Sequence, residues 1–109
     1  MDDLTELLKG VLEGAVMQIL RHRPTYGYEI VRALNGAGFA SVSEGTVYPI
    51  LLRLEKKGCV EVTQQRSEVG PPRKVYTLNA AGESALEGFW QRWEFISTRL
   101  QDIKENGSD

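Results

Sequence analysis

An apolar seam near the C-terminus constrains this chain more than any other feature. Leu86, Trp93 and Leu100 are seven residues apart, and Phe89, Ile96 and Ile103 repeat at the same interval with an offset of three. That is the a/d pattern of a helix that buries one stripe against other helices. Trp90 and Phe95 fall outside the seam and widen the apolar surface. The whole chain is 109 residues, enough for one domain and one core. A domain made from the preceding residues is too small to hide so long a stripe. A second copy of the chain is the simplest cover, with Leu86, Phe89, Trp90, Trp93, Ile96, Leu100 and Ile103 at the contact. The alternative is that the helix caps its own domain.

The rest of the chain reads as three helices and a hairpin. Leu4, Leu7, Leu8, Val11, Leu12, Ala15, Val16, Ile19 and Leu20 recur at steps of three and four, which predicts one helix over 4–22 with a wide apolar face. Gly10 and Gly14 within it either allow another helix close or are merely tolerated. Pro24 ends it. Thr25 is an expected N-cap for a second helix running to about Leu34 and closed by Asn35-Gly36-Ala37-Gly38. Ser43 is the expected N-cap of a third, whose buried face is Val47, Ile50, Leu51 and Leu54 and whose left-handed terminator is Gly58. Pro49 should make its start irregular. The period then falls to two: Val60 and Val62 alternate with Glu61 and Thr63 and lead on to Arg66. A turn over Ser67 to Pro72 precedes a return strand from Arg73 to Leu78. Asn79 is an N-cap candidate for the last helix. The predicted architecture is mainly α with α+β character: a winged helix-turn-helix over 1–78, a dimerisation helix over 79–105 and a disordered tail over 106–109.

Charge fits this layout. The formal net charge is −2, yet residues 21–76 carry nine Lys/Arg against five Asp/Glu, while both ends are acidic. Screening confines electrostatic reach to about 10 Å, so a local basic face matters more to a phosphate than the total does. The major groove admits one helix, read through its N-terminal residues. Ser43, Thr46 and Tyr48 are then candidates for base edges or phosphates, with Arg53 and Lys57 reaching the backbone. Arg66, Arg73 and Lys74 on the hairpin would touch an adjacent minor groove or its phosphates. Tyr26 and Tyr28 open the second helix and can each offer a hydroxyl. Against these roles stand half-buried packing for Tyr28 and Tyr48 and glutamate pairing for Arg53.

The stretches Tyr26-Gly27-Tyr28-Glu29-Ile30, Gly45-Thr46-Val47-Tyr48-Pro49-Ile50-Leu51 with Arg53-Leu54-Glu55-Lys56-Lys57-Gly58, and Gly70-Pro71-Pro72-Arg73-Lys74-Val75-Tyr76-Thr77-Leu78 closely resemble the PadR family of bacterial regulators. The resemblance covers residues 7–100. It implies a homodimeric winged-helix repressor on a palindromic double-stranded operator, with the recognition helix from Ser43 to Lys57 and the wing around Pro71 to Lys74. It also accounts for Pro49. With one terminal helix the chain is similar to the short branch, some members of which sense aromatic or multidrug-like compounds at the dimer centre. Trp93 matches the tryptophan that faces its mate there. The implied lining is Leu8, Val11, Leu12 and Ala15 from the first helix, with Phe89, Trp93 and Ile96 from the last. Trp90 and Phe95 add bulk, so both an open cavity and a packed aromatic core fit.

Other classes have less in their favour. A winged-helix module that binds protein rather than DNA suits the net charge. An enzyme is not expected: His22 is the lone histidine, in a solvated Arg-His-Arg run, and paired catalytic acids and phosphate loops are absent. No cofactor or metal is expected. Cys59 stands alone, reading as a small buried residue rather than a redox sensor. The acidic start, unlike a signal peptide, and the lack of a long apolar run predict a cytoplasmic protein with no membrane association.

Overall fold

The computed structural model describes residues 4–66 and 69–106. Helices α1 (Leu4–Leu8), α2 (Leu12–His22), α3 (Gly27–Gly36) and α4 (Glu44–Lys56) are followed by strands β1 (Val60–Gln65) and β2 (Arg73–Leu78) and by the long helix α5 (Ala80–Asn106). The strands pair antiparallel, from Val60 opposite Leu78 to Gln65 opposite Arg73.

Three local expectations change. The helix expected over 4–22 is broken at residues 9–11, where the Val11 amide closes a turn onto the Leu8 carbonyl. Gly10 sits in the break with open space where a side chain would be, so its effect is loss of helix propensity and not close packing. Thr25 is not an N-cap. Its amide and carbonyl both bond to Tyr76, at 3.2 and 2.8 Å, adding a single rung to the edge of the hairpin. The extended geometry of that rung holds Thr25 outside the helix, and α3 starts instead from Tyr26, whose carbonyl accepts the amides of Glu29 and Ile30. Helix α5 also runs to Asn106, one residue into the expected tail; residues 107–109 lie outside the described residues, as do Ser67 and Glu68 of the expected turn.

Other signals act as anticipated. Gly58, at φ +73°, closes α4: its amide bonds to Glu55 and that of Cys59 reaches back to Leu54. Pro49 is the exception: α4 runs uninterrupted through it, and the Ser43 carbonyl accepts both the Thr46 and Val47 amides as the Tyr26 carbonyl does for Glu29 and Ile30 at α3, so the irregular start expected there is not seen. Ser43 occupies the N-cap in extended conformation, but its hydroxyl makes no capping bond. Asn79 does cap α5: its Oδ1 accepts the Gly82 amide at 2.8 Å, while its Nδ2 donates to the Gly58 carbonyl and to Glu61. One side chain thereby ties the end of α4, the start of the wing and the start of α5 together.

The core is a single cluster in which Val16, Leu20, Ile30, Leu34, Val47, Leu51, Leu54 and Leu86 are almost wholly enclosed. Helix α5 reaches it through its first three turns. Leu86 is 0% exposed and Phe89 half-buried, its ring packed directly over Gly14 of α2. Gly14 is thus the glycine of the pair that serves packing. At about 1.5 Å per residue, the 27 residues of α5 extend well past the domain.

Candidate DNA-binding surface and aromatic groove

The N-termini of α3 and α4 converge on β2, forming a groove of about 400 Å³ lined by Tyr26, Gly27, Tyr28, Glu44, Tyr48, Pro72, Arg73 and Lys74. The local order explains this. The Thr25–Tyr76 rung pins the start of α3 to the wing, so Tyr26 lies beside Arg73. The Arg73 guanidinium donates to the Tyr26 hydroxyl at 3.0 Å and stands 4.8 Å from its ring centroid, a cation–π contact. The Tyr48 ring lies against Gly27, where a Cβ would fall 2.8 Å from ring carbons. Tyr28 and Tyr48 remain about half exposed.

The outer face of α4 continues this surface. Tyr48, Pro49, Leu52 and Glu55 face Lys74 and Tyr76 across a shallow groove. Tyr76 is buried, which is the main cause of its phenol holding its proton above the usual range, with the Glu55 charge and then Tyr48 adding to the effect. The sequence-based reading did not name Gly27 for this surface, and Glu44, Leu52 and Pro72 fell within the expected recognition helix and wing without being singled out. Leu52 carried a signal, since it is apolar yet falls off the stripe of Val47, Ile50, Leu51 and Leu54.

The other predicted contacts are elsewhere. Thr46 and Arg53 sit on the opposite flank of α4, lining a hollow with Leu8, Leu12, Ser41 and Val42. Arg53 and Lys57 both pair with Glu13 of α2, at 3.5 and 2.9 Å. Ser43 is exposed at the start of α4, and Arg66 is exposed just beyond the last rung of the hairpin.

A second, almost wholly apolar groove of about 350 Å³ lies where α5 leaves the domain. Val11, Ala15, Phe89 and Trp93 meet there, joined by Trp90 and by Phe39, which sequence reasoning did not single out. Phe89 and Trp90 pack edge to face at 5.0 Å, and the Trp90 indole donates to Gln18 at 2.9 Å. Leu8 and Leu12 belong to the hollow beside α4 instead, and Ile96 lies beyond the groove. Trp93, at its edge, is about half exposed, and past it the seam is bare: Ile96, Leu100 and Ile103 are each more than half exposed. Phe95 is on the other side of the helix under the Arg99 guanidinium. Leu86, enclosed by its own chain, has nothing to offer a partner's surface.

The model of the transcriptional regulator PadR-like family matches residues 16–88. The chain belongs to this family. A PadR-like regulator from Bacillus cereus strain ATCC 14579 is 40% identical in sequence, with 95% of this chain and 99% of that one superposed at a TM-score of 0.80. A Streptococcus transcriptional regulator is 42% identical over 90% of this chain and 96% of its own, also at 0.80. A PadR family regulator from Eggerthella lenta, 28% identical, superposes at 0.87 over 95% of this chain and 90% of that one. A transcriptional regulator of Mycobacterium tuberculosis is 38% identical over 73 residues, 64% of this chain and 66% of its own. The fold is therefore the PadR winged helix, and the chain is a DNA-binding regulator of transcription, not an enzyme. No helix among the described residues is long and apolar enough to cross a membrane. In this PadR-like chain His22 is exposed, 3.2 Å from the Gln18 amide, and Cys59 is buried.

Proposed function

We propose that this PadR-like chain acts as a homodimeric repressor of a palindromic operator, and that an aromatic or multidrug-like compound at the dimer centre relieves it. The observation that carries the reading is the course of α5. Its seam is covered by its own domain at Leu86 and then runs on exposed through Trp93, Ile96, Leu100 and Ile103. A row of large apolar side chains on a protruding helix is an interaction surface, and its heptad spacing suits an identical helix.

In such a dimer α4 enters the major groove, with Tyr28, Tyr48, Arg73 and Lys74 against bases and phosphates, and Ser43, Thr46 and Arg66 at the margins. The two recognition helices must match half-sites about 34 Å apart, a separation set by how the α5 helices cross. A compound in the groove of Val11, Ala15, Phe39, Phe89, Trp90 and Trp93 acts only through different affinity for two such separations. Operator selection on random duplexes tests the core of this reading. Palindromic enrichment with steep salt dependence is expected; unenriched sequences, or a monomer by light scattering, would overturn it. Removing the protein from its host should raise transcription from the selected operator, and a fall would make it an activator. Titration with planar aromatic compounds, read by Trp90 and Trp93 fluorescence, tests the groove, and a flat response across a broad panel rejects the inducer.

A further inference from the structure

Glu13 stands on the far side of α2 from the groove residues Val11 and Ala15, two positions away from each. Its carboxylate splits between two cations of the recognition helix: Oε2 is 3.5 Å from Arg53 Nε, and Oε1 is 2.9 Å from Lys57 Nζ. These cations are four residues apart, Arg53 in the last turn of α4 and Lys57 at its C-cap, hence on one flank. The pairing is asymmetric. The Arg53 and Lys57 side chains are more than half exposed, while Glu13 is 27% exposed. The acid is tucked in and the bases can leave.

We propose that Glu13 competes with DNA phosphate for Arg53 and Lys57 and so tunes the affinity for DNA without touching it. The proposal rests on the reading that these two cations reach backbone phosphates. Exposed ion pairs are weak and screened by salt, whereas duplex DNA carries a dense line of negative charge. Exchange of partner is therefore cheap near DNA and reverses once DNA is gone. One carboxylate facing two cations leaves a single surplus positive charge on this flank. Far from DNA the recognition helix thus has a lower positive potential than its sequence implies, which limits binding to arbitrary sequences.

The test is the binding of a random-sequence duplex of about 20 base pairs across a salt series, by the full chain as wild type, Glu13→Gln, Arg53→Gln/Lys57→Gln, and all three combined. Glu13→Gln should bind several-fold more tightly, with its log–log salt slope steeper by about one, the single charge that one carboxylate withholds from the pair. The double variant should bind more weakly with a shallower slope, and adding Glu13→Gln to it should change nothing. A double variant with the wild-type slope shows that Arg53 and Lys57 do not meet phosphate, and overturns the underlying reading. A shallower slope there, with Glu13→Gln identical to wild type or weaker, overturns the competition itself. A merely structural role for Glu13 would lower the melting temperature without steepening the slope. If Glu13→Gln does not fold, Glu13→Asp serves: its shorter arm loosens the hold on both cations and should shift the slope the same way, and an unchanged slope counts against the proposal.

Discussion

The same substitution at two glycines of α5 should move stability in opposite directions. A Cβ on Gly82 would run into the Cys59 carbonyl oxygen and the Leu78 side chain. The carbonyl is backbone, is held by the Asn79 amide at 3.1 Å, and cannot rotate aside. Gly82→Ala must therefore lift the start of α5 off the wing. Overpacking of this kind costs about 1–3 kcal/mol. The lift also strains the Asn79 cap bond to the Gly82 amide, which is worth about 1 kcal/mol. Better helix propensity returns at most about 1 kcal/mol. The net expectation is a loss of about 2 kcal/mol, or roughly 8 °C in Tm for a domain of this size. At Gly88, six residues on, a Cβ would meet only the tip of Arg92, at 3.0 Å, which is free to swing away. Gly88→Ala keeps the propensity gain and should raise Tm by roughly 3 °C. Thermal melts at one fixed protein concentration decide the matter, since dimerisation would make Tm concentration-dependent. Two shifts of the same sign would refute the assignment of Gly82 to close packing and of Gly88 to tolerance.

Four other outcomes follow from the geometry. Ile96→Asp with Leu100→Asp puts charge on the bare seam and should give a monomer by light scattering with an unchanged far-UV spectrum; a persistent dimer would move the interface elsewhere. Lys74→Ala should weaken binding to all duplexes alike and lower the salt slope by about one, so loss confined to one sequence would contradict a phosphate contact. Tyr76 carries a phenol raised above its ordinary 10.0 mainly by burial. The folded state then holds this proton to higher pH than the unfolded one, so the linked stability is complete below pH 10 and is lost as pH rises through the folded value; Tyr76→Phe should flatten the alkaline fall in urea midpoints. Gly14→Ala places a methyl group where the Phe89 ring now lies. That ring should be pushed toward the groove it lines, altering Trp90 emission and weakening any aromatic probe that binds there; unchanged emission would mean that Phe89 had not moved.

Signals that act through one residue's own backbone were legible in the sequence. Gly58 and Asn79 do what their types predict because a left-handed turn and a side-chain cap are local decisions. Thr25 carried the same kind of signal and lost it to a non-local partner, Tyr76, some fifty positions away, which no local propensity can reveal. Helix α4 shows the same divide. Its buried stripe was readable from spacing, yet its polar residues split between two flanks. Tyr48 joins the wing, whereas Thr46 and Arg53 face α1 and α2. Which flank meets which neighbour depends on how three helices pack, and Glu13, the residue that claims Arg53 and Lys57, is 40 positions upstream of the nearer of them. The basic balance of the central segment hid this pairing because a sum of charges carries no partners.

The heptad seam illustrates the same point at larger scale. Its period is uniform from Leu86 to Ile103, but its surroundings are not. The first positions face the core of their own domain, and the later ones, Ile96, Leu100 and Ile103, are more than half exposed among the described residues. The change occurs between Phe89 and Trp93, one helical turn that also carries Trp90. At such a point α2 and Phe39 supply one wall, and the other side stays open. A groove of aromatic side chains with one wall missing is incomplete in the monomer. In the proposed dimer the partner's α5 would close it, so any compound held there would lie against the two helices whose crossing sets the half-site spacing. The bulk of Trp90 then need not fill the site. Its indole donates to Gln18 at 2.9 Å and its ring packs edge to face on Phe89, and in the single chain it is part of the lining of the groove.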